Sequence, residues 1–114
     1  MKVSFNGFEE KYLTFTTSDP IEVGQIVALS DNGSVSGVGE EEEFMGVAVA
    51  ADDDYVTVLM KGVAEIEYSG TISAPGYYCL VADEDGIATP SDDGKIPRLV
   101  LEVDSTNSKI KVLF

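Results

Sequence analysis

The chain of 114 residues lacks several residue types that common enzyme mechanisms require. It contains no histidine, so the usual base that activates a serine or cysteine nucleophile is missing. It contains no tryptophan, which excludes a sugar-binding platform of indole rings. No Gly-x-x-x-x-Gly-Lys-Ser/Thr motif is present to cradle phosphates. We predict from these absences that the protein is not an enzyme and has no cofactor.

Cysteine is represented by Cys79 alone, so a disulfide within the chain is excluded. The residue lies in the apolar run 77–81, Tyr-Tyr-Cys-Leu-Val. A free cysteine in such a run behaves as a small hydrophobic side chain. We therefore expect Cys79 to be buried in the core and not to act as a nucleophile.

Basic residues are few. Seven lysines and arginines are outnumbered by 21 aspartates and glutamates, which gives a formal net charge of −14 and a pI near 4.1. Nucleic acids and anionic membranes both attract clustered positive charge, so neither is an expected partner.

No segment approaches the ~20 apolar residues that span a bilayer, and residues 1–7 lack the apolar core of a signal peptide. These features predict a soluble protein made in a cytoplasm, whose acidity serves solubility.

Three short acidic clusters have the oxygen ligands that calcium prefers: Asp52–Asp54, Asp83–Gly86 and Asp92–Gly94. None has the alternating ligands, central glycine and final glutamate of an EF-hand loop. All three lie at predicted turns, where aspartate and glycine are favoured for local backbone reasons. Exposed carboxylates also have little to desolvate them, which argues against general acid catalysis on a sugar. We predict no metal site and no catalytic residues.

The residues that are present indicate a duplication. The hexamer Tyr55–Met60 matches Lys109–Phe114, with aliphatic residues at the second, fourth and fifth positions and a large apolar residue last. The run Phe44–Val49 matches Arg98–Val103, again with apolar residues at alternating sites. Both matches have an offset of 54 residues, from 55 to 109 and from 44 to 98. Such self-similarity indicates two copies of one small β unit.

Glycines at the turns follow the same duplication. Gly33 corresponds to Gly86 with an offset of 53 residues, and Gly24 corresponds to Gly76 with an offset of 52. A duplicated unit typically shows an offset that changes by a residue at loops while its strand-like runs stay aligned. We predict a single β domain over residues 11–114, made of the pseudo-repeats 11–60 and 64–114.

The pattern along both repeats is that of strands and turns. Apolar residues alternate over short runs, polar turns separate these runs at a spacing of about 8–12 residues, and no run has the sustained apolar stripe of a helix. Asn32-Gly33, between two such runs, is the strongest hairpin signal in the chain. The predicted fold class is all-β: a small β-barrel or sandwich made of two pseudo-repeats of about 50 residues, with little or no helix.

Residues 1–10 do not match the repeat. This segment contains Phe5 and Phe8 and is expected to be either a short strand or an N-terminal arm. Tyr77 and Tyr78 are adjacent, so in a strand they face opposite sides, and one of them is expected at an edge or a subunit interface, where tyrosine is enriched. We therefore name Phe5, Phe8, Tyr77 and Tyr78 as candidate partner-interface residues.

The order of these features resembles that of the small capsid decoration proteins, or cement proteins, of tailed bacteriophages. The resemblance is carried by four segments: Glu22–Leu29, Asp31–Gly33, Phe44–Val49 and Tyr55–Val63. It extends over roughly residues 11–114, including the duplicated layout, and consists of strands and turns without a chemical signature. Such proteins recur as prophage genes in gut bacteria.

The resemblance implies an all-β structural protein of the virion that binds the outer face of the capsid and catalyses nothing. Its partners would be the major capsid protein and further copies of itself, as a homotrimer, and it would be made in the host bacterial cytoplasm. Because three chains of −14 each carry −42, a trimer requires an apolar seam and gains stability with salt. The alternative interpretation is a ligand- or surface-binding β module of a gut bacterium.

Overall fold

The computed structural model describes residues 10–17 and 19–114, and these residues form ten β-strands and no helix. The prediction of an all-β fold is therefore confirmed. Within these residues, no helix is long and apolar enough to cross a membrane. In chain order the strands are β1 Lys11–Thr16, β2 Ile26–Asp31, β3 Ser34–Gly37, β4 Gly46–Ala51, β5 Tyr55–Lys61, β6 Val63–Glu67, β7 Gly76–Ala82, β8 Ala88–Pro90, β9 Pro97–Asp104 and β10 Lys109–Leu113.

Alternation of apolar side chains explains why these segments are strands. In β10, Ile110 and Val112 are buried between half-buried lysines at positions 109 and 111. In β5, Val56 and Val58 are buried, with exposed fractions of 1 % and 0 %. Successive side chains of a strand point to opposite faces, and β-branched residues pack well on the buried face. A strand with this alternation presents one face to a core, whereas β2, β4 and β5 also bury residues of the opposite face, as Ile26 beside Val27 shows.

The strands of each half of the chain form one sheet. β1 to β5 form a closed barrel with the strand order β1-β3-β2-β4-β5, and β6 to β10 form a sheet with the order β6-β10-β9-β7-β8. The barrel closes where β1 pairs with β3 in parallel, at Thr16 and Ser34. The two ends of the second sheet meet at the equivalent place, through a parallel bridge between Tyr68 and Ala88.

Each strand pairing of the first half, residues 10–61, has a counterpart in the second half, residues 63–114, when β6 to β10 are matched in order with β1 to β5. The β4–β5 pair corresponds to the β9–β10 pair. Both pairs are interrupted by a bulge at the same position, where Val49 in β4 and Leu101 in β9 have no partner in the ladder. The two halves therefore share a local irregularity as well as a strand order.

The structural alignment of β4 with β9 differs from the predicted one by two residues. Ala48 pairs with Val58 in the first half. Val100 pairs with Val112 in the second half. The offset between β4 and β9 is therefore 52 residues (48 to 100), and the predicted value of 54 is wrong for this strand. A shift of two residues keeps every side chain on the same face, so the alternation of apolar residues cannot detect it.

The predicted hairpin at Asn32-Gly33 is confirmed, since β2 and β3 pair in antiparallel around it. Of the two turn residues, Asn32 and Gly33, only Gly33 has a left-handed backbone, with a φ of 67°. The register shifts between Leu29 and Asp31. The connection is thus a turn with a bulge beside it, in place of the two positive φ angles that a two-residue type I′ turn requires.

Two buried clusters fill the molecule. The smaller one lies inside the barrel and consists of Ile21, Val27, Val35, Ala48, Val56 and Val58. The larger one fills the second half, where its members include Ile66, Leu80, Ala88, Val100, Ile110 and Val112. Four residues of the first half also belong to the larger cluster: Ile26, Val38, Phe44 and Val47. Because the first half completes the core of the second, the two halves form one body.

Candidate interaction surfaces

Four apolar residues form a row across the outer face of the first half. Strand pairing joins them in the order Tyr12, Leu59, Val47 and Ile26, and we call them the first row. Leu59, Val47 and Ile26 have exposed fractions of only 2 %, 2 % and 3 %. Val47 and Ile26 pack in the larger cluster, together with Ala64 and Leu80 of the second half. Ile26 and Val47 of the first row therefore contribute to the contact between the first half and the second.

The counterpart row in the second half is less buried. The same strand pairings join Val63, Leu113, Leu99 and Tyr77, which we call the second row. Tyr77 is 74 % exposed, and the other three residues are half-buried. Leu59, Val47 and Ile26 are thus buried, whereas their counterparts Leu113, Leu99 and Tyr77 are half-buried or exposed. The fourth pair is reversed, since Tyr12 is 47 % exposed and Val63 is half-buried.

Two positions of the second half that pack in the larger cluster also differ from their counterparts. Leu80 is fully buried and Ala64 packs against the larger cluster. By strand pairing, the counterpart of Leu80 is Leu29 on β2 and the counterpart of Ala64 is Leu13 on β1, and we call these two leucines the leucine edge. These two leucines are 54 % and 59 % exposed. Positions that pack in the larger cluster in the second half are therefore exposed in the first half.

Beyond the second row, the outer face of the second half is charged. β10 presents Lys109 and Lys111 between Glu65 and Glu67 of β6 and Glu102 of β9, and we call these five residues the ionic ladder. Lys109 Nζ lies 3.3 Å from Glu67, and Lys111 Nζ lies 2.9 Å from Glu102. The hydrogen bond with Glu102 raises the pKa of Lys111. Cross-strand ion pairs of this kind suit a solvated sheet face.

The counterpart positions in the first half carry no charge. They are Thr14 and Thr16 on β1, Ala50 on β4, and Tyr55 and Thr57 on β5, and we call these five residues the threonine face. The hydroxyl oxygens of Thr14 and Thr57 are 3.1 Å apart, and Tyr55 is 54 % exposed. The threonine face is thus an exposed, uncharged sheet surface on a chain of net charge −14.

Reasoning from the sequence missed the threonine face, although a signal for it exists. Thr57 corresponds to Lys111 with an offset of 54 residues, and Thr14 corresponds to Glu65 with an offset of 51. An alignment with the correct offset for each strand therefore shows uncharged residues in place of strand neighbours of opposite charge. The apolar pattern already matches Thr57 with Lys111, but that Thr57 lies beside Thr14, and Lys111 beside Glu65, follows from the strand pairing.

The structure places two of the four predicted interface residues. Tyr77 and Tyr78 face opposite sides, as predicted: Tyr77 points outward in the second row, and Tyr78 packs against the larger cluster. The Tyr78 hydroxyl donates a hydrogen bond of 2.6 Å to the carbonyl of Ala74. Phe5 and Phe8 lie outside the described residues. A partner interface at these residues stays a prediction.

Two clefts lie at the junction of the halves. One has a volume of about 270 Å³ and is lined mainly by apolar residues, among them Tyr12, Val23, Val49 and Val63. The other has a volume of about 280 Å³, and its lining includes Glu22, Glu67, Asp85 and Lys109. Both volumes are at or below the lower limit of roughly 300 Å³ for common small-molecule sites.

The Arg98 side chain joins the two halves. The guanidinium Cζ lies 4.7 Å from the ring centroid of Phe44 and 4.8 Å from that of Phe114. Its Nη2 donates a hydrogen bond of 2.5 Å to the carbonyl of Phe44. Burial lowers the pKa of Arg98, and the nearby charge of Glu43 opposes this shift. Among the described residues, Arg98 Nε and Glu43 Oε2 are buried without a hydrogen-bond partner.

Two of the three acidic clusters accept hydrogen bonds from their own backbone. The Asp52 carboxylate accepts hydrogen bonds from the N–H groups of Asp54 and Tyr55, which lowers the pKa of Asp52. Burial raises the pKa of Asp83. Hydrogen bonds from the Ser69 hydroxyl and from two backbone N–H groups lower this pKa by more, so the net shift is downward. In the part of the chain that the structure describes, no group of three or more cysteine, aspartate or glutamate residues is placed to hold a metal ion.

Cys79 is less buried than predicted. It lies on β7 and is only half-buried. The loop that contains Ser91 and Gly94 covers it in part, since Ser91 N–H donates to the Cys79 carbonyl at 3.0 Å. A side chain at Gly94 would approach Cys79 Cβ to 2.9 Å. The apolar run around Cys79 predicts the strand correctly but not how far the loop shields this position.

Comparison with protein-family models and with curated proteins finds no match to this chain.

Proposed function

We propose that the protein is a non-enzymatic structural protein that decorates and stabilises the outer surface of a phage capsid. The observation that carries this proposal is the threonine face, an exposed and uncharged sheet surface on a chain of net charge −14. A contact between proteins removes water from its centre, and a carboxylate there would be costly to desolvate. The threonine face avoids this cost, whereas the ionic ladder at the counterpart positions does not.

In this proposal the threonine face contacts the major capsid protein and the ionic ladder stays in solvent. Threonine and tyrosine offer apolar area together with hydroxyl groups that form hydrogen bonds, a combination that suits a polar protein surface. The resemblance to decoration proteins points to the same partner and to a location on the virion. Both arguments concern adhesion, and neither requires a catalytic group.

Cosedimentation with capsids of the parent phage tests the proposal. We expect the wild-type protein to sediment with capsids, and Tyr55→Glu to bind roughly tenfold more weakly because it adds a carboxylate to the contact. Lys109→Gln is the matched control, since it changes the net charge by the same one unit at the counterpart position in the ionic ladder. Absence of the protein from purified virions, or equal capsid binding by Tyr55→Glu and wild type, would contradict the proposal.

A second candidate function is that of a ligand- or surface-binding module of a gut bacterium. The observation that favours it is the apolar cleft of about 270 Å³ between the halves. The genes beside this one distinguish the two candidates. Genes for a portal protein, a protease and a major capsid protein support decoration of a capsid, whereas a secretion or polysaccharide-utilisation cluster supports the binding module.

A further inference from the structure

Each of the two surfaces that meet between the halves has a counterpart elsewhere in the molecule. Within the molecule, Ile26 and Val47 of the first row pack in the larger cluster together with Ala64 and Leu80 of the second half. The counterpart of the first row is the second row, in which Tyr77 is 74 % exposed and the other three residues are half-buried. The counterpart of the covered edge is the leucine edge, where Leu13 and Leu29 are 54 % and 59 % exposed. One chain therefore presents both complementary members of a contact that it already makes internally.

We propose that the second row of one copy packs on the leucine edge of another copy, and so repeats between molecules the contact that joins the halves within one molecule. The occupant of both surfaces is a second copy of this chain. The contact is head-to-tail, because each molecule offers its second row to one neighbour and its leucine edge to another. Head-to-tail contacts close into rings or extend into filaments.

The residues involved have the size and polarity that this contact requires. The second row consists of Val63, Leu113, Leu99 and Tyr77, and it contains no charged side chain. The leucine edge likewise offers aliphatic surface, and large exposed aromatic and aliphatic residues are the usual anchors of interfaces. Elsewhere, the net charge of −14 on each copy opposes association, so the contact strengthens as salt screens that repulsion. The proposal does not depend on the identity of any capsid partner.

Sedimentation velocity of the full chain tests whether the contact forms. Measurements at protein concentrations up to about 1 mM and in about 0.5 M salt, where charges are screened beyond roughly 5 Å, are expected to show concentration-dependent oligomers. At low salt we expect weaker association. A protein that remains monomeric under all of these conditions overturns the proposal.

Variants of the two surfaces test where the contact lies. Tyr77→Glu places a carboxylate in the second row, and Leu29→Glu places one in the leucine edge. Each is expected to raise the dissociation constant roughly tenfold or more. Tyr55→Glu is the matched control, because it makes the same change at an exposed tyrosine outside both surfaces and is expected to associate like wild type. Since all three side chains are more than half exposed, circular dichroism is expected to show a native fold in each variant.

A mixture of the two defective variants tests the head-to-tail geometry. Tyr77→Glu retains an intact leucine edge, and Leu29→Glu retains an intact second row, so the mixture is expected to form a 1:1 heterodimer that goes no further. Failure of the mixture to associate overturns the proposal, since it would indicate a contact between identical surfaces. Equal weakening by Tyr55→Glu and Tyr77→Glu overturns it as well. Because Tyr55→Glu tests capsid binding and Tyr77→Glu tests self-association, the two proposals fail independently.

Discussion

Arg98 makes a specific contact between the two halves. Its guanidinium lies against the neighbouring rings of Phe44 and Phe114, whose centroids are 5.9 Å apart, and also donates to the Phe44 carbonyl. Two aromatic rings and a carbonyl oxygen together recognise the planar shape and the positive charge of arginine. Lysine has the charge but not the plane, so the site distinguishes these two residues.

We therefore predict that Arg98→Lys lowers the free energy of unfolding by about 1–2 kcal/mol. The expected loss comes from the contacts with the two rings and from the hydrogen bond to Phe44, because the charge itself is kept. Urea unfolding followed by circular dichroism measures the change. Lys61→Arg, the reverse exchange at an exposed position, is the control and is expected to leave the free energy of unfolding unchanged. Wild-type stability in Arg98→Lys would contradict the prediction.

The two tyrosines show what the sequence reveals about single residues. The alternation of side chains along a strand places Tyr77 and Tyr78 on opposite sides, and the structure agrees. The same alternation says nothing of Arg98, whose partner Phe44 is 54 residues away in the chain. A contact of that kind depends on how the two sheets pack, which a local pattern does not encode.

At the scale of elements, the turn after β7 depends on one carboxylate. Asp83 accepts hydrogen bonds from the Ser69 hydroxyl at 2.6 Å, from Asp85 N–H at 2.8 Å and from Ile87 N–H at 3.0 Å. The carboxylate thereby fixes the connection from β7 to β8 and links it to the segment after β6. The hydrogen bonds outweigh burial, and the pKa of Asp83 is lowered.

The lowered pKa of Asp83 predicts a pH-dependent contribution to stability. A group with a lower pKa in the folded state stabilises the fold above its unfolded pKa, near 3.9 for aspartate, and loses this effect as the pH falls through the folded pKa. We expect Asp83→Asn to unfold with about 1 kcal/mol less free energy than wild type at pH 7, and the difference to shrink below about pH 4. Urea titrations of both proteins from pH 7 to about pH 3 measure it.

The exposed Asp92 supplies the control for the Asp83 prediction. Asp92→Asn changes the net charge by the same amount, so it reports any general effect of the lower charge on stability. A difference between Asp83→Asn and wild type that is constant over the whole pH range would contradict the prediction. So would a pH dependence that Asp92→Asn reproduces.

The sequence predicts where the strands lie but not how all of them align between the two halves. Apolar alternation and turn residues located the strands and the hairpin at Asn32-Gly33. They did not fix the offset between β4 and β9, because a two-residue shift preserves the faces. The threonine face was missed for a different reason: the repeat matches Thr57 with Lys111, but only the strand pairing places Thr14 beside Thr57 and Glu65 beside Lys111.

At the scale of the whole molecule, the two halves contribute unequally to the buried core. The barrel of the first half has its own interior cluster, whereas the core of the second half includes Ile26, Val38, Phe44 and Val47 of the first. The sequence predicts the repeat but not this asymmetry. Apolar residues on both faces of a strand indicate burial on both sides, but not which other strands provide the burial.

A shared core predicts that the two halves unfold together. Ile110 belongs to the larger cluster, to which the first half contributes, and its exposed fraction is 1 %. Ile110→Ala is expected to lower the free energy of unfolding by about 3 kcal/mol. Because unfolding is cooperative, this loss is expected to reduce the hydrogen-exchange protection of the most protected amides in β5 as much as that of amides in β10. Val56→Ala, at the counterpart position in the barrel, is expected to affect both strands in the same way. If each substitution reduced protection only in its own half, or if calorimetry resolved two transitions, the halves would be independent folding units and the shared core would contribute little to stability.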